Sequence, residues 1–439
     1  MDSIDFIKNH QLNLIKVTKN YLEKQNKIKY NTFDSSVCYF SPHSESVGYA
    51  QLKLWSNFKK NIFFSTKIIL KNILGTLYKK EYKIIKNQKF TNTKFKNIII
   101  TWGEYESFNN DGSFYDKYFN ASSNKDRKNL WFIILLGKKI PKKVSDNCII
   151  YCEISKKFSF IKLLILMKEI FFIKKFYHKR SIMTEFSYSL LNEIKKILNK
   201  NFVRMLMPYE GQPFQNTLYY VCKKILKKIK TIGYVHSFPV GLPLNLIFRQ
   251  GAPDKLVVNG HDQYFFLKKY LGWKSKRIKI FKSLRFSGLK KMDGYIYLPY
   301  HISSEKIILS SLDKIFRNKK YQQSHFLKVK NHPLKIKSLF HINLTNKIGN
   351  YLNKDNKKIT PNFSIFIGAT GSIIEALESG TNVIHISSEP SFEIYSEKLW
   401  PSLKTRIIDK FIYEYSLIKP AKLIEFNYGK SFFKKYTNL

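Results

Sequence analysis

Polar and apolar positions follow two different rhythms along the chain. Up to about residue 94, lysines are mixed with apolar residues at helical spacing, as in NIFFSTKIILKNILGTLYKKEYKIIK (61–86), which predicts a largely helical extension. From Asn97 the text turns to short apolar runs bounded by turn residues: NIIITW (97–102), WFIILL (131–136), CIIYCE (148–153), VRMLMP (203–208), TIGYVH (231–236), KLVVNG (255–260) and RIKIF (277–281). Such runs read as strands buried on both faces, and their alternation with helical stretches predicts an α/β fold with a parallel sheet. The series then restarts with YIYLPY (295–300), a helical stretch from Ser303, HFLKVK (325–330), SIFIG (364–368), a helix from Gly371 and NVIHIS (382–387). Two successive sheets are expected, with a boundary near Met292-Asp293-Gly294. The expected organisation is an N-terminal α/β domain over 1–290, of which 1–94 is the extension, a C-terminal α/β domain over 291–404, and a helical segment over 405–439 that packs back across both. No internal repeat of fixed period is visible.

The 439 residues suit two or three domains, and 44% hydrophobic residues supply real cores, so a disordered or linker-like chain is excluded. Charge changes the picture further. Lys and Arg number 77 against 31 Asp and Glu, a formal net charge of +46, so anionic partners are expected. Only eight of the basic residues are Arg, as an AT-rich coding sequence would produce, but that bias does not account for the shortage of acids. An acidic membrane surface or a phosphorylated substrate is therefore expected, whereas specific nucleic-acid binding is not. The lysines are spread over the whole chain, with no zinc-finger spacing or basic zipper. The stretch FSFIKLLILMKEIFFIKKFY (158–177) is interrupted too often by charge to span a membrane. Read as a helix, it sets Leu163, Leu166, Met167, Ile170 and Tyr177 against Lys157, Lys168, Lys175 and Lys179, which fits either an interfacial helix or one packed on its own domain. Four cysteines without paired spacing, and an N-terminus without a basic and then apolar leader, point to a cytoplasmic protein, peripheral at most on the inner face of the membrane.

Ligands of parallel α/β sheets bind beyond the carboxyl ends of strands, so loops after strands carry the candidate chemistry. In IFIGATGSIIEALESG (365–380), a buried strand runs through a small-residue turn into a helix, an anion cradle in which Gly371 permits close approach, Thr370 and Ser372 offer hydroxyls, and Glu375 can accept from ribose hydroxyls. The alternative is a plain helix start, with Thr370 or Ser372 as cap and Glu375 completing a capping box. Before it, KVKNHP (328–333) ends a strand with His332, whose backbone Pro333 pushes away from helical geometry, and with Lys330 nearby for a phosphate. In the first domain, MPYEGQP (207–213) sets Glu210 after a strand, where a general base would stand, followed by Gly211 and Gln212. After the first strand, the segment from Asp111 to Phe119 offers Asp111 and Asp116 beside aromatic residues, suited to a sugar ring on the acceptor side, or else a surface loop with buried aromatics.

An acid-Gly element in the first domain, a His-Pro after a strand in the second, and a Ser/Thr element opening the next helix together resemble bacterial sialyltransferases and related capsule and lipopolysaccharide glycosyltransferases. The resemblance implies the GT-B fold, two facing Rossmann-like domains. It implies that Glu210 deprotonates the acceptor hydroxyl and that His332, with Thr370 and Ser372, holds the phosphate of a CMP-activated nonulosonic acid. Tyr209 stands where the family has another acid, and Gly371 separates the two hydroxyl residues. The leading reading is an inverting transferase working without a metal or other cofactor, from a nucleotide-sugar donor to a surface-polysaccharide or lipid-linked acceptor. A polyol-phosphate transferase of the teichoic-acid type, or a non-catalytic protein that binds acidic membranes or polyanions, is the alternative.

Overall fold

The computed structural model describes residues 4–27, 38–41, 46–56, 61–91, 94–125, 127–169, 182–285, 290–302, 304–353, 360–426 and 439. Three helices come first: α1 (Ile4–Lys27), α2 (Val47–Trp55) and α3 (Asn61–Thr76). The first sheet is built from β1 (Tyr78–Lys86), β2 (Asn97–Gly103), β5 (Asn129–Leu135), β6 (Cys148–Phe158), β7 (Arg204–Pro208), β8 (Lys230–Tyr234), β9 (Lys255–Val258) and β10 (Ile278–Ile280), while β3 (Tyr115–Asp116) and β4 (Ala121–Ser122) make a small hairpin apart. Helices α4 (Phe160–Glu169), α5 (Ile182–Ile197), α6 (Pro213–Ile225) and α7 (His261–Lys269) lie between its strands. The order is β1-β6-β5-β2-β7-β8-β9-β10, parallel except for β1 against β6. β5 is buried along its whole length and β2 at all but one residue, which is why they read as uninterrupted apolar runs.

The second sheet contains β11 (Tyr295–Tyr297), β12 (Lys328–Lys330), β13 (Phe363–Ile367), β14 (Asn382–Ile386), β15 (Leu403–Asp409) and β16 (Ile412–Leu417), in the order β12-β11-β13-β14-β16-β15. Its helices are α8 (Glu305–Arg317), α9 (Leu339–Gly349), α10 (Ser372–Glu378) and the short α11 (Pro390–Glu393). The chain is thus two Rossmann-like units, and the loops at the carboxyl ends of the two sheets meet, the GT-B arrangement. Among the parallel strands of each sheet the order reverses once. The reversal falls between β2 and β7 in the first sheet and between β11 and β13 in the second, and a reversal opens a crevice beyond the strand ends.

Three expectations are corrected. The segment from 405 onward does not begin as a helix. It completes β15 and forms β16, which pair antiparallel with each other and extend the second sheet from β14. Residues 418–426 then return to the first unit in irregular, non-helical form, where Lys422 O accepts from Asp262 N–H and Glu425 exchanges backbone bonds with Asn259 and Ser283. The alternation in YEYSL and KTRII is a strand rhythm hidden by charge. Likewise, 61–86 is not one helical stretch, because YKKEYKIIK (78–86) pairs with β6 as β1. Third, α4 starts at Phe160, so Lys157 and Phe158 belong to a strand. Leu166 of α4 is buried, whereas Phe160, Ile161, Leu164 and Met167 are exposed. Ile170, Lys175, Tyr177 and Lys179 lie outside the described residues. Among the described residues, no helix is long and apolar enough to cross a membrane.

The N-terminal helices strap onto the second unit. Gln11 of α1 is buried, donates to Ile394 O (2.8 Å) and accepts from Ser396 Oγ (2.6 Å), and His10 Nδ1 meets Ser391 Oγ (2.7 Å). From α2, the buried Lys53 pairs with Glu389 (2.6 Å), to which Tyr49 also donates (3.1 Å). Beside this pair Glu393 is buried, accepting from Ser387 Oγ (2.6 Å). Burial, and then the charge of Glu389, pushes its carboxyl up to about 7. The unfolded chain releases that proton near 4.5, so the folded state has its full advantage below that pH and loses it as pH rises to about 7. The expected outcome is a fall in unfolding free energy of about 1–3 kcal/mol across that window, measured by denaturant titration, with Glu393→Gln flattening this part of the curve.

Candidate active site

The first crevice is built around Glu210. Behind β7, Gly211 takes φ +68°, and a Cβ there would lie 2.1 Å from Asn245 O, so only glycine lets the turn pass. The turn is fixed from all sides. Gln215 accepts from the Glu210 and Gln212 N–H groups (3.0 Å each) and donates to Pro208 O (2.6 Å); Asn245 donates to Glu210 O (2.7 Å); and Arg249 donates to Gly211 O. The Glu210 carboxylate accepts from Gln212 Nε2 (2.7 Å) and stands 3.3 Å from His236 Nε2. His236 is buried against the Tyr118 and Trp102 rings, and its Nδ1 has no hydrogen-bond partner among the described residues. A cavity of about 150 Å³ opens beside Glu210, walled by Tyr39, Ser41, Tyr209, Ser237 and Phe238 among others. Burial, with the nearby Glu210 charge, raises the Tyr39 hydroxyl well above its ordinary range.

The second crevice, about 280 Å³, is lined by Pro299 and Tyr300 after β11, by Ala369 to Ser372 and Glu375 after β13, by His332, and from the first unit by Ser237, Phe238 and Arg285. The two cavities therefore share Ser237 and Phe238 as a common wall. His332 packs edge-on to Tyr300 (centroids 5.4 Å apart), and Lys335 sits over the same ring (4.1 Å). Partial burial, then His341 and Lys335, lower the His332 imidazole below its usual range. Burial raises Glu375, opposed by the charges of Arg285 and Lys330. Arg285 also lies over the Tyr118 ring (5.7 Å), which links the two crevices through one guanidinium.

Two buried side chains hold the units in this relation. Tyr395 OH reaches both Pro239 O (2.8 Å) and Thr370 O (3.0 Å), and Trp400 Nε1 donates to Gly241 O (2.9 Å). The backbones approach so closely that a Cβ on Gly371 would lie 2.5 Å from Phe238 O, and one on Gly241 would lie 2.4 Å from Ile394 O.

The sequence candidates divide accordingly. His332, Thr370, Gly371, Ser372 and Glu375 come together in one cavity, and Glu210 stands in the adjoining one, with Gly211 and Gln212 shaping its turn. Lys330 lies over Tyr295 and Tyr297 rather than lining the cavity, and Pro333 opens a single exposed 3₁₀ turn. Gly371, at the N-cap of α10, has no side chain to cap it, and Thr370 Oγ1 accepts from Ser372 N–H at the helix start (3.3 Å). Asp111 and Asp116 line neither cavity. Asp111 holds Ser113 and Asn124, and these bonds lower it to about 2, while the buried Asp116, raised to about 6 by burial, accepts from the Tyr118 and Phe119 N–H groups. Both carboxylates fold their own loop. Sequence reasoning missed Arg285, His236, Tyr300 and the Ser237-Phe238 wall. His236, Ser237 and Phe238 had one signal, position, since they follow β8 as Glu210 follows β7, and Tyr300 likewise follows β11. Among the described residues, no group of three or more His, Cys, Asp or Glu could hold a metal ion.

No family model matches the chain, and no curated protein does. Solved structures similar to it include a glycosyltransferase from Rickettsia africae ESF-5, at 12% identity over 67% of this chain and 79% of that one, with a TM-score of 0.30. A structure of the wall teichoic acid polymerase TagF with CDPG is similar at 11% identity over 74% of this chain and 79% of that one, with a TM-score of 0.31.

The inter-unit contacts predict a graded pair of variants. Tyr395→Phe removes one hydroxyl from two carbonyls and should cost about 1–2 kcal/mol in urea unfolding. Gly371→Ala drives a methyl into the Phe238 backbone and should lower the melting temperature further, whereas Ser372→Ala, on the cavity side, should leave it unchanged.

Proposed function

We propose that this chain is an inverting glycosyltransferase that moves a sugar from a nucleotide donor onto a hydroxyl of a surface-polysaccharide or lipid-linked acceptor, at the inner face of the cytoplasmic membrane. One observation carries the reading: a carboxylate held in a rigid turn and a cavity ringed by Arg285, His332 and hydroxyl groups stand on either side of one wall, Ser237-Phe238. In this reading Glu210 takes the proton of the acceptor hydroxyl as its oxygen attacks the anomeric carbon from the first unit's side. The bond from that carbon to the phosphate oxygen breaks, and the phosphate leaves with the electron pair. His332, Arg285, Thr370 and Ser372 stabilise the charge growing on it, the part of catalysis most dependent on fixed donors and positive groups. These groups neutralise the leaving phosphate by themselves, so the proposal calls on no metal. His236 orients the Glu210 carboxylate, and Glu375 accepts from the ribose hydroxyls.

Glu210→Gln is expected to abolish turnover with nucleotide affinity nearly unchanged, because the base acts on the acceptor. Loss of donor binding with turnover retained would remove the assignment. His332→Ala and Ser372→Ala should each weaken nucleotide binding about ten- to a hundredfold, as losing a charge-assisted hydrogen bond does, with the ligand-free melting temperature close to normal. A thermal-shift panel of CMP, CDP, UDP, GDP and their sugars reads the donor. A cytosine preference supports the nonulosonic-acid donor. A uracil or guanine preference keeps the mechanism and discards that donor, and no saturable response to any nucleotide overturns the proposal.

A further inference from the structure

The face that the sequence left ambiguous between a packed helix and an interfacial one has a definite shape. β6 begins as a buried central strand, but from Glu153 its residues are exposed or half-buried, and with β1 it runs out of the sheet as a two-stranded ribbon. The ribbon carries Ile154, Lys156 and Phe158 on one strand, with Tyr78 and Lys80 on the other; Tyr78 pairs with Phe158 in the register, their rings 5.9 Å apart. The chain passes directly into α4, tied back by Ser159 N–H to Leu77 O and by Lys162 Nζ to Tyr78 O. Helix α4 faces its own domain with Leu166 and turns Phe160, Ile161, Leu164 and Met167 outward. These four, with Ile154 and Phe158, are each more than half exposed. Six large apolar side chains are thus exposed within residues 154–167, a concentration of the kind that marks an interaction surface rather than scattered surface residues.

Charge identifies what covers it. Among the described side chains, the acids near these residues, Glu81, Glu153 and Glu185, each stand within ion-pair distance of a lysine (Lys157, Lys80 and Lys162), and Lys79 and Lys156 add further positive charge, Lys156 over the Tyr78 ring (4.4 Å). The surface is therefore apolar at its centre and net positive at its rim, on a chain of formal charge +46. A protein partner with an apolar patch would need an acidic rim to match it, and a second copy of this chain would set lysines against lysines. A bilayer of anionic phospholipid supplies both parts at once: head-group phosphates for the lysines and an acyl boundary for the apolar side chains. A cavity of about 580 Å³, walled by Trp102, Ile134, Leu135, Tyr151 and Phe186, shares Lys80, Ile154 and Lys156 with this face and leads toward Trp102, whose ring contacts His236 beside Glu210.

We infer that the β1–β6 ribbon and α4 dock this protein on an anionic phospholipid surface, with the large cavity opening at the level of the head groups. The inference does not depend on the transferase reading, and its test does not use activity. The full chain is sedimented with vesicles of phosphatidylglycerol and phosphatidylcholine, or of phosphatidylcholine alone. Binding at least tenfold tighter to the anionic vesicles at low salt, and weakened by salt, is expected. Ile161→Asp with Leu164→Asp should weaken it at least tenfold, and the milder Phe160→Ser with Ile161→Ser should weaken it too. Leu339→Asp, an exposed apolar position in the second unit, should not, and all three should keep the parent melting temperature. Equal binding to both vesicle types, undiminished binding by the α4 variants, or equal loss in Leu339→Asp would overturn the assignment. So would a dimer of the parent chain that the α4 substitutions dissociate while vesicles capture nothing.

Discussion

The site depends on one steric constraint, the approach of two backbones without side chains between them. The loop after β8 in the first unit lies against the turn before α10 and the segment after α11 in the second, with Gly371 facing Phe238 O and Gly241 facing Ile394 O at distances that leave no room for a Cβ. Tyr395 and Trp400 then fasten that contact with hydrogen bonds to backbone carbonyls in a buried setting, where an unmade bond would be costly. Because of this contact Ser237 and Phe238 wall both cavities, and the carboxylate and the cationic pocket become neighbours. Neither unit makes the site alone.

The sequence revealed those elements whose chemistry is local. Near-continuous apolar runs named the buried strands of both sheets, since parallel strands with helices on both faces cannot alternate. Strands with one wet face escaped: β1, β15 and β16 mix charged residues among their apolar ones, and in a lysine-rich chain that text blends with helix-like text. The same division holds in the site. Glu210 with Gly211, His332 with Pro333, and Thr370 to Ser372 were legible because each is a short motif after a strand. Arg285 and His236 were not, because what distinguishes them is a contact made across units or across strands, and Asp111 and Asp116 looked available only because their backbone partners are set by the folded loop.

Charge works differently at different depths. Most of the 77 basic residues are lysines, while the guanidinium lining the second cavity, Arg285, is one of only eight arginines. An arginine there keeps its charge under any burial and spreads it over a plane that lies on the Tyr118 ring. The field of exposed lysines is screened by salt, whereas a charge inside a cavity is screened far less.

The path of the chain adds a consequence for folding. Helices α1 and α2 belong by sequence to the beginning of the chain yet are bound to residues 389–397 of the second unit, and residues 418–426 return to the first unit at Asn259, Asp262 and Ser283 while Glu378 of the second unit accepts three backbone N–H groups from Ala421, Leu423 and Ile424. The polypeptide therefore laces the two sheets together at its start, middle and end. Two lobes on a single linker swing and melt separately, but lobes sewn by three passes share one fate: neither can be excised as a folded fragment, and the first to loosen takes the other's seams with it.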